Sequence, residues 1–296
     1  MRHNIALLGH GYWGKIVEKT IVSNPHFNLL RLYSPRLENE GIRTNDIESV
    51  WKDPSIDSVY IATPLLTHFM LAKTALKTGM HVLCEKPLTP HPEEAQILKT
   101  LSQERQRILE TNYIYNHSLG VNKFRELLPR IGRIRHLSLS IRQWGRFYPE
   151  SVYHVLASHL LSVLDMVQPI NTIEFHFRDL ITNGKGLCET GRIDFECGGF
   201  SGEIIVSLNS GERAREFKAY GDDGFLTWDP GRKETVVLQN LVRQLSEGIA
   251  GKRETYEFDE TNNLTFVLNR FSDLIEGKGS DNQELAMRIS RVLAGK

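Results

Sequence analysis

Cysteine is scarce in this chain: Cys84, Cys188 and Cys197 are the only three among 296 residues, and no two form a CxxC pair. Three such residues make no even framework, which excludes a disulfide-stapled scaffold and points to a reducing compartment. Excess charge is lacking as well, since 36 lysines and arginines balance 36 aspartates and glutamates. A chain without an overall basic field does not draw in nucleic acid or anionic membrane, so the expected partners are small molecules. No apolar run approaches membrane-spanning length, and the apolar run in MRHNIALLGHGYWG is too short for a signal peptide. A cytoplasmic location is expected. Internal repeats and low-complexity linkers are also absent.

What remains is an ordinary soluble composition, 40% hydrophobic and 24% charged, long enough for one large or two ordinary domains. The first 120 residues alternate strand-like and helix-like stretches. Strands are expected at 4–8, 27–33, 57–62, 81–84 and 108–111. Helices are expected between them, one carrying Trp13, Ile16, Val17, Thr20 and Ile21, one carrying Leu71, Ala72, Ala75 and Leu76, and one over 92–105. Such alternation implies a doubly wound parallel α/β sheet covered on both faces. After about residue 132 an apolar helix over 152–167 is followed by strands in succession, TIEFHF, GRIDFEC, GEIIVSLNS, REFKAYG and GFLTWD. This half reads as α+β with a mainly antiparallel open sheet, closed by helices at 236–249, 264–276 and 283–293.

Gly9-His-Gly11-Tyr-Trp-Gly14 stands between the first strand and the first helix. In that context G-x-G-x-x-G allows a tight turn, close approach of a pyrophosphate, and close helix–strand packing. The residue that meets the adenosine ribose lies about 20 positions beyond the last glycine, which is Ser34, followed by Pro35 and Arg36. An acid there would repel a 2′-phosphate; a hydroxyl and a guanidinium favour NADP, with NAD as the alternative. The strand at 81–84 leads into Glu85-Lys86-Pro87, and a lysine at the end of a buried strand needs a cleft or a partner.

GHGYWG together with SVYIATPLLTHFMLAKTALKTGMHVLCEKPLT resembles the glucose–fructose oxidoreductase, inositol dehydrogenase and MocA family of nicotinamide enzymes. The resemblance covers the first domain and extends through GEIIVSLNSGERAREFKAYGDDGFLTWD into the second. It implies a Rossmann domain at 1–119 and an α+β substrate-binding and oligomerisation domain at 120–296. It makes Lys86 the catalytic group that polarises or protonates the reacting oxygen. Gly9, Gly11, Tyr12, Trp13, Gly14, Ser34, Arg36, Thr63, Pro64, His68 and Glu85 are then the cofactor-binding residues, and the Lys86–Pro87 peptide is cis or strained. Tyr113, Asn116 and Trp144 become substrate candidates; Trp144 with Arg142, Arg146 and Tyr148 in IRQWGRFYPE either reaches the same cleft or makes an ordinary sheet surface.

The helix SVYHVLASHLLSVLDMV departs from the family pattern D-x-G-x-H-x-x-D. Aligned on His159, the two acids and the glycine are replaced by Val155, Ser162 and Ala157. His159 is the second catalytic candidate, without a carboxylate one turn earlier to orient its ring. His154 lies five residues away, roughly 140° around a regular helix, which argues against a two-histidine metal site. No metal is expected. The sequence reading is an NAD(P)-dependent oxidoreductase acting on a sugar, nucleotide sugar, related polyol or imine, working as a homo-oligomer; the competing reading is a cofactor-binding sensor or partner subunit with impaired catalysis.

Overall fold

Residues 2–144, 148–244 and 247–296 are described by the computed structural model. Two units emerge, one running up to Ile114 and resuming over Asn262–Ala294, the other spanning Tyr115–Thr261 with the last two residues.

The first unit is built from β1 (His3–Leu8), α1 (Tyr12–Ser23), β2 (Phe27–Tyr33), β3 (Arg43–Thr44), α2 (Glu48–Trp51), β4 (Ser58–Ile61), α3 (His68–Lys77), β5 (His81–Glu85), α4 (Pro92–Arg105) and β6 (Leu109–Asn112). Its six strands are parallel, in the order β3-β2-β1-β4-β5-β6. All four residues of β4 and of β6 are buried, as strands covered on both faces require. Pro92 at the first helical position, Glu93 and Glu94 in the first turn and Arg105 in the last suit the dipole of α4. Strand order reverses between β1 and β4, so the loops after these strands flank the point where α/β sheets of this kind bind ligands.

The second unit contains α5 (Leu119–Leu127), β7 (Ile134–Trp144), α6 (Ser158–Asp165), β8 (Glu174–Thr182), β9 (Cys188–Cys197), β10 (Phe200–Ser207), β11 (Asn209–Gly221), β12 (Gly224–Trp228), β13 (Val236–Gln244) and β14 (Glu247–Tyr256). They form one sheet ordered β14-β13-β12-β11-β7-β10-β9-β8, antiparallel except where β7 and β10 pair in parallel. Buried Leu137, Leu139 and Ile141 recur at every second position of β7 and set its apolar face.

Three expectations change. The helix at 236–249 is instead β13 and the start of β14: Val236 and Leu238 are buried while Val237 and Gln239 are half-exposed, a period of two that adds strands beyond β12. The helix at 152–167 is not regular, because Tyr153–Ala157 forms a π-helical turn in which the Ser158 N–H donates to Tyr153 O. That wide turn narrows the angle between His154 and His159 below the value for a regular helix. The last two helices, α7 (Asn263–Ile275) and α8 (Gln283–Leu293), belong with the first unit rather than with a domain spanning 120–296. Leu264, Val267, Leu268 and Phe271 of α7 enter the core of Ile5, Leu7, Val17 and Phe27, and the Phe271 ring stacks on Phe27 at 6.0 Å. The first stretch of that unit ends at Ile114, ahead of the boundary expected at 119.

Candidate active site

Two glycines of the first turn are required sterically. Gly9 has φ +105°, and a Cβ there would lie 2.4 Å from Ala62 O; a Cβ on Gly14 would lie 2.2 Å from Gly9 O. Gly11, the N-cap of α1, is open: a Cβ there would meet nothing within 4 Å, and no side chain caps the helix. The space beside it and the uncapped N–H groups of a twelve-residue helix fit a dinucleotide pyrophosphate. Gly9 N–H donates to Tyr33 O at 2.8 Å, which holds this turn against the end of β2. There Ser34 N–H donates to Thr44 O at 3.1 Å, and Arg36 is exposed. Behind the turn, His10 Nε2 and Glu18 Oε2 are 2.7 Å apart, and Arg43 donates to the other oxygen of Glu18 at 3.2 Å.

The segment around Lys86 is fixed from both sides. Glu85 Oε1 accepts from Trp13 Nε1 at 2.5 Å, Tyr60 OH at 2.7 Å and Asn112 Nδ2 at 2.8 Å. Burial, and then the charge of Glu85, push the Tyr60 phenol well above its ordinary pKa, so it is a hydrogen-bond donor throughout the working range. Thr89 donates its hydroxyl to Glu94, and its carbonyl accepts from Ser290 Oγ at 2.8 Å. Between these anchors the Lys86–Pro87 peptide is cis. His68, only 2% exposed, places Nδ1 3.0 Å from Pro87 O and Nε2 2.9 Å from Thr63 O. It therefore braces the loop after β4 against the loop after β5. Burial lowers the His68 pKa against the opposing pull of the two carbonyls. Thr63 Oγ1 accepts from Thr67 at 2.7 Å, and Pro64 is exposed in the same loop.

In the second unit, His159 on α6 is half-buried, as is Val155 four residues earlier, so both lie on the less covered side of the helix. Ser162, at the place of the family's second acid, donates to Asn116 Oδ1 at 2.9 Å and to His159 O at 2.7 Å. The Tyr115 ring meets His159 edge-on at 5.1 Å and also packs against Phe217 and Trp228. The sequence pattern does not distinguish Tyr115, although it stands between Tyr113 and Asn116 in TNYIYNH.

The other candidates are dispersed. Tyr113 is fully buried in the first unit. Trp144 is 68% exposed at the end of β7 and alternates with the Leu139–Ile141 face rather than sharing it, as does Arg142, which lies 4.0 Å from Glu216. Tyr148 is partly exposed, and Arg146 lies outside the described residues. Among the described residues no three His, Cys, Asp or Glu side chains cluster as a metal site, and no helix is long and apolar enough to cross a membrane. Cys84 is wholly buried, and burial raises its thiol pKa well above the ordinary value, which disfavours the nucleophilic thiolate.

Residues 3–113 match the model of an oxidoreductase family with an NAD-binding Rossmann fold. A 1,5-anhydro-D-fructose reductase from Ensifer adhaerens is 26% identical over 262 residues, which cover 81% of this chain and 75% of the relative. A dTDP-3,4-didehydro-2,6-dideoxy-alpha-D-glucose 3-reductase from Streptomyces violaceoruber is 38% identical over 87 residues, 29% of this chain and 25% of that protein. The crystal structure of a 3-ketoreductase from Actinomadura kijaniata in complex with NADP and TDP-benzene shares the fold, with a TM-score of 0.85, 14% identity, and coverage of 99% of this chain and 96% of that one. With its glycine turn and its E-K-P segment, the Rossmann sheet over residues 3–113 matches the glucose–fructose oxidoreductase, inositol dehydrogenase and MocA family of oxidoreductases.

Proposed function

We propose that this chain is an NADP-dependent reductase of a carbonyl on a sugar, nucleotide sugar or related polyol, with Lys86 as the proton donor. The anchoring of the Lys86 backbone carries the reading: Glu85, Pro87 and Thr89 are each held by hydrogen bonds to other elements, those of Pro87 and Thr89 buried, so the residue between them has a fixed origin. A catalytic group gains most from such preorganisation. The two relatives named above are both reductases of sugar derivatives.

Gly9, Gly11 and Gly14 hold the pyrophosphate, and Ser34 with Arg36 receives the 2′-phosphate. A cofactor bound there supplies the hydride. Lys86 as ammonium donates a hydrogen bond to the substrate oxygen and releases its proton to it as negative charge develops. His159 is a second hydrogen-bond partner of the substrate. Position 155 carries valine where the family pattern has a carboxylate, and reduction, which needs a proton donor rather than a base, is therefore the direction proposed. An imine suits the same groups, because the proton again comes from Lys86.

Rates in both directions across pH test the reading. His159→Asn should cost less than Lys86→Met in reduction, and Val155→Asp should raise the ratio of oxidation kcat to reduction kcat, whatever it does to substrate affinity. Efficient oxidation by the parent that disappears in His159→Asn would contradict it. The sensor reading draws on the missing acids at Val155 and Ser162, and it requires that no carbonyl substrate be turned over at all.

A further inference from the structure

The neutral replacements around His159 have a cationic counterpart on β11. Phe217 pairs with Leu139 and Arg215 with Ile141, and directly opposed residues of an antiparallel pair share a face. Arg215 therefore projects from the same face as Phe217, one strand repeat further on, about 7 Å away. The Phe217 ring is 6.0 Å from that of Tyr115, which is 5.1 Å from His159. An arginine side chain spans that interval. Burial raises the Tyr115 pKa, while Arg215 and then Arg213 pull it down, so both guanidinium groups act on this spot.

The carboxylates nearby have other duties. Glu216 and Lys218 pair with each other at 3.1 Å at the intervening positions of β11. Glu260 accepts from Ser118 Oγ at 2.8 Å and Gly120 N at 3.0 Å, and Asp165 of α6 accepts from Ile170 N at 3.1 Å. Among the described residues the side chains of Arg213 and Arg215 enter no hydrogen bond or ion pair. Half-buried Arg215 is thus a cation without a counter-ion among those residues, beside a helix from which two carboxylates are missing.

We propose that the substrate is an anionic sugar derivative whose carboxylate or phosphate oxygens are bound by Arg215, with Arg213 adding to the field, next to Tyr115 and His159. This rests on the reading that the second unit takes the substrate at His159. Guanidinium binds either oxyanion through paired N–H donors, and carboxylates at positions 155 and 162 would repel such a ligand. Their replacement by Val155 and Ser162 is then a condition of binding rather than a loss.

The test is calorimetric titration of the full chain, with and without saturating NADPH, using D-glucuronate, D-glucose 6-phosphate and UDP-glucose against neutral D-glucose. At least one anionic probe should bind about tenfold more tightly than D-glucose, and Arg215→Gln should remove most of that advantage. The three probes distinguish a carboxylate, a phosphate monoester and a diphosphate. Arg213→Gln, at an exposed position, should weaken the same probe by a smaller factor and serves if Arg215→Gln folds poorly. Equal affinity for charged and neutral probes, or an advantage that survives in the double variant, overturns the assignment. NADPH binding is read separately from tryptophan fluorescence; its absence overturns the oxidoreductase reading, whereas lost selectivity with NADPH bound overturns the anion site alone.

Discussion

The indole N–H of Trp13 donates to Glu85 Oε1 at 2.5 Å, tying the first turn of α1 to the strand end that presents Lys86. The glycine turn and the segment that carries Lys86 are thereby linked directly. Trp13→Phe keeps the ring but removes the donor to a charged acceptor, and should cost about 2 kcal/mol of stability. NADPH affinity should fall with it. Denaturant titration and cofactor titration of the variant check this, and an unchanged midpoint would mean the contact carries no weight.

His68 offers two nitrogens to two carbonyls, yet as a neutral ring it has only one N–H to give. His68→Gln retains a donor and should preserve most activity. His68→Phe leaves the carbonyls of Thr63 and Pro87 without it and should lower kcat more than it raises KM for NADPH, since the displaced segment carries Lys86. Equal kinetics for the two variants would show that the brace does not position the lysine.

Glu110 is buried on β6, where it accepts from the N–H of Asn282 at 2.9 Å and from its side-chain amide at 3.0 Å. Burial above all, with a further push from Asp281, raises its pKa from 4.5 to about 8. The fold therefore favours the protonated form. Its contribution is full below pH 4.5 and is lost progressively as the pH rises to about 8. Glu110→Gln, which cannot ionise, should flatten the stability profile across that window. Parallel profiles for parent and variant would place the titration elsewhere.

If the end of β2 sets cofactor choice, as proposed, NADPH should bind more tightly than NADH, and Ser34→Asp with Arg36→Ala should reverse the order by putting an acid where the 2′-phosphate would sit. Fluorescence titration with both cofactors decides it; equal affinities unaltered by the substitutions would remove β2 from the choice.

The Rossmann sheet is legible in the sequence where a strand carries an apolar run, as at 5–8 and 82–84, and where a helix is stopped by a local signal, such as Asn24-Pro25 or Gly79; β3, only Arg43–Thr44, carries no such run. The return of α7 and α8 to that unit is not, because Phe271 meets Phe27 only through a contact that no local pattern encodes. The region 236–249 misleads because Leu238, Leu241, Val242 and Leu245 stand at helical spacing in the sequence, whereas pairing with β12 makes Val236 and Leu238 alternate as in a strand. At the site, Lys86 and the glycines are visible as motifs. The three donors on Glu85 Oε1 come from α1, β4 and β6, and Arg215 takes its meaning from the register with Ile141; both depend on pairing across the fold.

The central claim is that Lys86 gives the proton and does little for cofactor binding. Lys86→Met keeps much of the aliphatic stem without the ammonium, so single-turnover reduction with prebound NADPH separates the two roles directly. The account predicts NADPH affinity within a few-fold of the parent and a hydride-transfer rate lower by about 10²–10⁴-fold. A variant that transfers hydride at nearly the parent rate would contradict it.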